Sequence, residues 1–78
     1  MDNLEKLKKA FTDALEIPIE NITDDLAYGN ESWDSVAHLA LIASIEIEFD
    51  IMLVSDDVID MSSFLKAKEI LGKYGVKF

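Results

Sequence analysis

Seventy-eight residues with a formal charge of −9, from 16 acidic and 7 basic side chains, define one small acidic domain. Phosphate-backbone binding needs the opposite sign, which excludes nucleic acid as an expected partner. The lack of cysteine removes disulfides, thiolate zinc sites and thiol nucleophiles together.

Half of the side chains are hydrophobic, enough for a folded core and too many for an acidic disordered tail. No apolar stretch approaches the ~20 residues a bilayer requires, and Met1 to Glu5 has no basic leader pattern. A cytoplasmic monomer without membrane contact is therefore expected. Its charge would steer partners with basic docking surfaces toward it.

The first helix is predicted to begin at Asp2 or Asn3, where Asp2-x-x-Glu5 resembles a capping box. Leu4, Leu7, Phe11 and Ala14/Leu15 follow at helical spacing. Pro18 is expected to end it, because the residue before a proline is pushed out of the helical region. A long connection then runs from Ile19 to Trp33, with Asn21, Asp24, Asp25, Gly29 and Asn30 as turn formers. Such loops must pack to be ordered, and Ile19, Ile22, Leu26, Tyr28 and Trp33 are the candidate anchors.

A second helix is predicted over residues 35–49, with Asp34 as its N-cap. Ser55-Asp56-Asp57 opens a short third helix ending near Met61. Ser62 or Ser63 caps the last helix, whose stripe is Phe64, Ala67, Ile70/Leu71 and Tyr74, and Gly75 lies just past its end. The expected fold is all-α: a bundle of three main helices plus one short helix, with a long ordered loop between the first and second helices. Residues 1–78 form a single domain.

The second helix is unusual in being apolar almost all round. At 100° per residue, His38, Leu41, Ile42, Ile45 and Phe49 share one face, and Val36, Ala40, Ala43 and Ile47 share another. So small a bundle cannot surround one of its own helices. Either the second stripe faces solvent as an interaction strip, or the long loop folds over it. Ser35 stands at the head of this helix, where free N–H groups and the macrodipole favour a phosphate ester. As a bare dipeptide, Asp34-Ser35 is equally an ordinary cap.

The run Trp33-Asp34-Ser35-Val36-Ala37-His38-Leu39, leading to Ile45-Glu46-Ile47-Glu48-Phe49-Asp50, resembles the acyl carrier protein family. That family carries an Asp-Ser-Leu motif at the start of its second helix and an acidic run before a Phe at its end. The resemblance spans essentially the whole chain. It implies that Ser35 receives 4'-phosphopantetheine from coenzyme A through a phosphopantetheinyl transferase. The thiol of that arm would carry acyl groups as thioesters, and the chain itself would not be an enzyme. Acyl-loading and acyl-transferring enzymes are the implied partners, with Asp34, Val36, Ala40, Ala43, Glu46 and Ile47 as the docking residues.

Val36 replaces the family's usual Leu, and Ala40 and Ile47 stand where fatty-acid synthesis carriers are typically acidic. These departures point to a specialised, pathway-dedicated carrier of fatty-acid, polyketide or other acyl-transfer biosynthesis. Two alternatives stay open, a peptidyl or aminoacyl carrier of a nonribosomal-type pathway and an unmodified acidic adaptor.

Other chemistries match less well. Ser35 and His38 fall at i, i+3, but a hydrolase also needs an oxyanion hole and a substrate pocket. An EF-hand frame on Asp24–Ser35 puts Leu26 and Tyr28 where oxygen ligands belong, so no metal site is expected. His38 is expected at the edge of the core. An acyl groove is expected near Ile42, Ile45, Met61 and Phe64.

Overall fold

The computed structural model describes residues 2–78. Helix α1 spans Asn3–Leu15, and the Asp2 carboxylate caps it by accepting the Glu5 backbone N–H at 2.8 Å. Leu7, Ala10, Phe11 and Leu15 form its buried stripe. The helix stops before Pro18 acts. Glu16 turns left-handed at φ 57° and returns its N–H to the Thr12 carbonyl at 2.9 Å. Proline then prevents any resumption, since Ile17 cannot be helical in front of it.

The connection to the next helix contains one 3-10 turn, Ile19–Asn21. Ile22 and Trp33 are its buried anchors and Leu26 is half-buried, whereas Ile19 and Tyr28 are exposed. The loop is ordered by backbone as well as by side chains. Tyr28 N–H donates to the Ser62 carbonyl and Phe64 N–H to the Leu26 carbonyl, both at 2.9 Å, around an isolated antiparallel bridge between Ala27 and Ser63. Asn30 folds the next turn. Its amide donates to the Ala27 carbonyl and its side-chain oxygen accepts the N–H groups of Ser32 and Trp33. Trp33 is thereby delivered into the core.

Helix α2, Ser35–Phe49, begins and ends where the pattern places it, with the Asp34 carboxylate accepting Ala37 N–H at 2.9 Å. Leu41, Ile42 and Ile45 pack inward, and the principal helix–helix contact is α1 on α2. Helix α3, Ser55–Asp60, and helix α4, Phe64–Gly72, complete an all-α fold. The Ser63 hydroxyl caps α4 by accepting Lys66 N–H. Regular α-helix stops at Gly72, after which the turn tightens. Gly75, at φ 88°, then closes it as Val76 N–H reaches the Leu71 carbonyl.

The centre of the core is aromatic. Phe11 meets Trp33 edge-on at 5.3 Å and Phe64 at 5.0 Å, and all three are buried. Each such pair contributes roughly 0.5–1.5 kcal/mol beyond the area it buries. Among the described residues no helix is long and apolar enough to cross a membrane.

Candidate functional site

Ser35 is the first residue of α2 and is exposed. Asp34, also exposed, occupies the extended N-cap conformation that the turn from Trp33 requires, and its carboxylate is committed to Ala37 N–H. The Ser35 hydroxyl therefore sits over the positive end of a 15-residue helix. Here an added phosphate would meet backbone N–H groups.

Beside the serine lies a cavity of about 400 Å³, lined by Tyr28, Ser35, His38, Leu39, Val58, Ile59, Met61 and Ser62. Its wall is mainly apolar. One side comes from α2, one from α3 and the segment after it, and the rim from the loop residue Tyr28. This corrects the expected groove. Ile42, Ile45 and Phe64 are buried in the closed core, and only Met61 of the expected four reaches the cavity. Periodicity identified those residues as inward-facing, but Ile42, Ile45 and Phe64 are packed within the buried core cluster and line no part of this cavity. The apolar cavity beside Ser35 falls where short α3 meets α2.

His38 is half-buried in the cavity wall, with both ring nitrogens engaged. The Trp33 indole N–H donates to Nδ1 at 2.9 Å, and Nε2 lies 2.7 Å from the Val58 carbonyl oxygen. The Tyr28 ring meets the imidazole edge-on at 5.6 Å, and the Trp33 ring lies within 26° of the imidazole plane with its centroid 5.9 Å away, joined to it by the hydrogen bond. A Ser35–His38 proton relay has no free imidazole nitrogen to use in this arrangement.

The second stripe of α2 is open. Val36, Ala40, Ala43 and Ile47 are all exposed, Ile47 to 81%, so the long loop does not cover them. Leu39 at 69%, Met52 at 83% and Ile59 at 78% extend the apolar surface around the mouth of the cavity and the far end of α2. The acidic residues behave differently from one another. Glu46 is half-buried, and its carboxylate accepts Leu53 N–H at 2.9 Å, so it stabilises the turn after α2. Glu48 faces Lys9 of α1 at 3.5 Å. Hydrogen bonding to Asp13 and the charge of Glu48 raise the Lys9 ammonium above its ordinary value.

Helix α3 is anchored by a polar cluster that spacing did not reveal. Asp57 is buried, and its carboxylate takes the Lys73 ammonium at 2.6 Å and the Tyr74 hydroxyl at 2.7 Å. The Tyr74 oxygen in turn accepts Val54 N–H at 3.0 Å. These bonds, led by that from Lys73, hold the Asp57 carboxyl below its usual value against the opposing effect of burial. In sequence Asp56-Asp57 reads as a solvated pair, because the two partners of Asp57 lie 16 and 17 residues away.

No family model, curated protein or solved structure matches this chain.

Proposed function

We propose that this chain is a carrier protein in which Ser35 bears a 4'-phosphopantetheine arm and the arm's thiol holds acyl groups as thioesters. One observation carries the reading: an exposed serine hydroxyl at the first position of α2 lies on the rim of an apolar cavity. The helix start favours the phosphodiester, and the cavity gives a tethered apolar chain a place to leave water. In the loading step the Ser35 oxygen attacks the pantetheine-bearing phosphorus of coenzyme A. The adenosine bisphosphate departs, and the serine proton passes to a base of the transferase. The chain itself catalyses nothing. It is a cytoplasmic monomer that presents cargo to other proteins.

Partner enzymes dock beside Ser35 on the exposed stripe of Val36, Ala40, Ala43 and Ile47. Asp34 and the overall charge supply attraction to a basic rim. An apolar centre of this kind suits a dedicated partner over a general fatty-acid synthesis enzyme. The apolar wall likewise favours acyl over aminoacyl cargo. Incubation with coenzyme A and a broad-range phosphopantetheinyl transferase tests the reading by intact mass. The wild type is expected to gain one phosphopantetheine group and Ser35→Ala none. Modification of the alanine variant, or none of the wild type, refutes it.

A further inference from the structure

The cavity has one wall held far less firmly than the others. Helices α1 and α2 pack extensively, whereas α3 is six residues long and most of its surface is open. Val58 is half-buried and Ile59 exposed; within α3 only Asp57 is buried, and Met61 just beyond it is the apolar anchor. Two adjacent residues of α3 carry its polar tethers. Asp57 reaches Lys73 and Tyr74 on the side of α4, and the Val58 carbonyl meets His38 on the side of α2. The second tether crosses the cavity wall itself.

The chemistry of the two His38 contacts fixes its protonation pattern. A carbonyl oxygen can only accept, so Nε2 must carry a hydrogen to bond Val58. An indole N–H can only donate, so Nδ1 must be bare to receive Trp33. Both conditions are met by one species, the neutral imidazole with its proton on Nε2. Trp33 is buried and immobilised by its edge-on contact with Phe11, so the core dictates the tautomer that reaches α3.

We infer that His38 is a positioning residue that sets the width of the cavity beside Ser35: Trp33 holds its proton on Nε2, and that proton bolts α3 closed through the Val58 carbonyl. Removing the bolt leaves α3 held on the α4 side, by Asp57 and by the Val54 N–H on the Tyr74 hydroxyl, and at its end by buried Met61, with no polar contact to α2, and the Val58–Ile59 wall swings outward. The groups facing His38 are Tyr28 and Trp33 from the loop and Val58 from α3. No carboxylate or ammonium lines the cavity among the described residues. Asp57 is turned toward Lys73 and Tyr74, and Asp34 is spent on the α2 cap. The bolt thus has no local ionic substitute. What fills the cavity rests on the carrier reading, but the bolt does not.

The test uses the unmodified full chain and the variant His38→Phe, which keeps an aromatic ring in place and deletes both hydrogen bonds. In the wild type, nitrogen-15 shifts of the imidazole are expected to show a bare Nδ1 and a protonated Nε2. In His38→Phe, exchange of the Val58 and Met61 amides is expected to accelerate roughly tenfold, as for loss of one net hydrogen bond. Amides of α1 should be unchanged. The opposite tautomer, or equal exchange of the α3 amides in the two proteins, overturns the inference. Should the variant fail to fold, the wild-type nitrogen shifts still decide the tautomer on which the bolt depends. A second measurement loads both proteins with acyl arms of increasing length. The variant is expected to shield longer chains from solvent than the wild type does. Identical length limits refute the role in cavity width, whereas failure of the wild type to accept the arm refutes the carrier reading and leaves the exchange result standing.

Discussion

Trp33 donates its indole N–H to Nδ1 of His38 across 2.9 Å, joining the buried centre of the core to the wall of the surface cavity. The tryptophan is fully buried and is the only one in the chain. Trp33→Phe would remove the donor, leave Nδ1 unpaired and open space against Phe11. The expected cost is about 2–4 kcal/mol, from lost packing and one orphaned acceptor. Chemical denaturation of the two proteins, followed by far-ultraviolet circular dichroism, measures it. A loss under about 1 kcal/mol would show that Trp33 packs without organising its neighbours.

Asp34 makes a second, separable contribution. Its carboxylate satisfies an orphan N–H of α2 at Ala37, so Asp34→Ala is expected to cost about 1 kcal/mol, and Asp34→Ser much less. Thermal unfolding of both variants distinguishes capping from charge. Equal losses in the two would mean that the negative charge matters and the cap bond does not.

Ile47→Glu addresses the proposed docking face. At 81% exposure the side chain has little packing to lose, and stability should stay within about 0.5 kcal/mol of the wild type. On the proposed carrier function, arm attachment at Ser35 is expected to proceed as before, acyl transfer with a dedicated partner to weaken and recognition by fatty-acid synthesis enzymes to improve. Unchanged transfer kinetics with the partner would remove Ile47 from the interface.

The Asp57 cluster predicts a particular acid response. Hydrogen bonds from Lys73 and Tyr74 lower the carboxyl below its ordinary value of 3.8. The folded state thus binds this proton less readily than the unfolded chain. Its stabilisation is complete above the ordinary carboxylate range and is lost as pH falls through the lowered folded value. Lys73 is raised, first by its hydrogen bond to Asp57. Its share is complete below the ordinary lysine value and disappears as pH rises through the raised one. Asp57→Asn should therefore melt below the wild type at neutral pH and converge with it in strong acid. Melting curves recorded from neutral pH to about pH 2 check this, and a constant gap across that range would contradict it.

The linear pattern carried the elements because their signals are local. The limits of α2 follow from the Asp34 cap and an unbroken helical run, and the two apolar stripes on opposite faces of one helix narrow the fate of Val36, Ala40, Ala43 and Ile47 to a solvent-facing strip or cover by the long loop, a choice the fold makes in favour of solvent. Ser35 likewise takes its place from its position at a helix start. The end of α1 was less legible. Pro18 is conspicuous, but the left-handed turn at Glu16 that stops the helix has no comparable sequence mark.

Pairings across the chain were decided only in three dimensions. His38 reads as a core-edge residue, yet its role comes from Trp33 and from a carbonyl 20 residues further along. Asp57 reads as half of a solvated acidic pair until α4 brings Lys73 and Tyr74 to it. Glu46 reads as a docking residue until the chain turns back and offers it Leu53 N–H. The cavity belongs to the same class. Spacing fixes which side chains point inward, because helix geometry is periodic, but a void is the volume left where elements fail to interlock. That depends on how short α3 settles against α2, and so on contacts that no local period encodes.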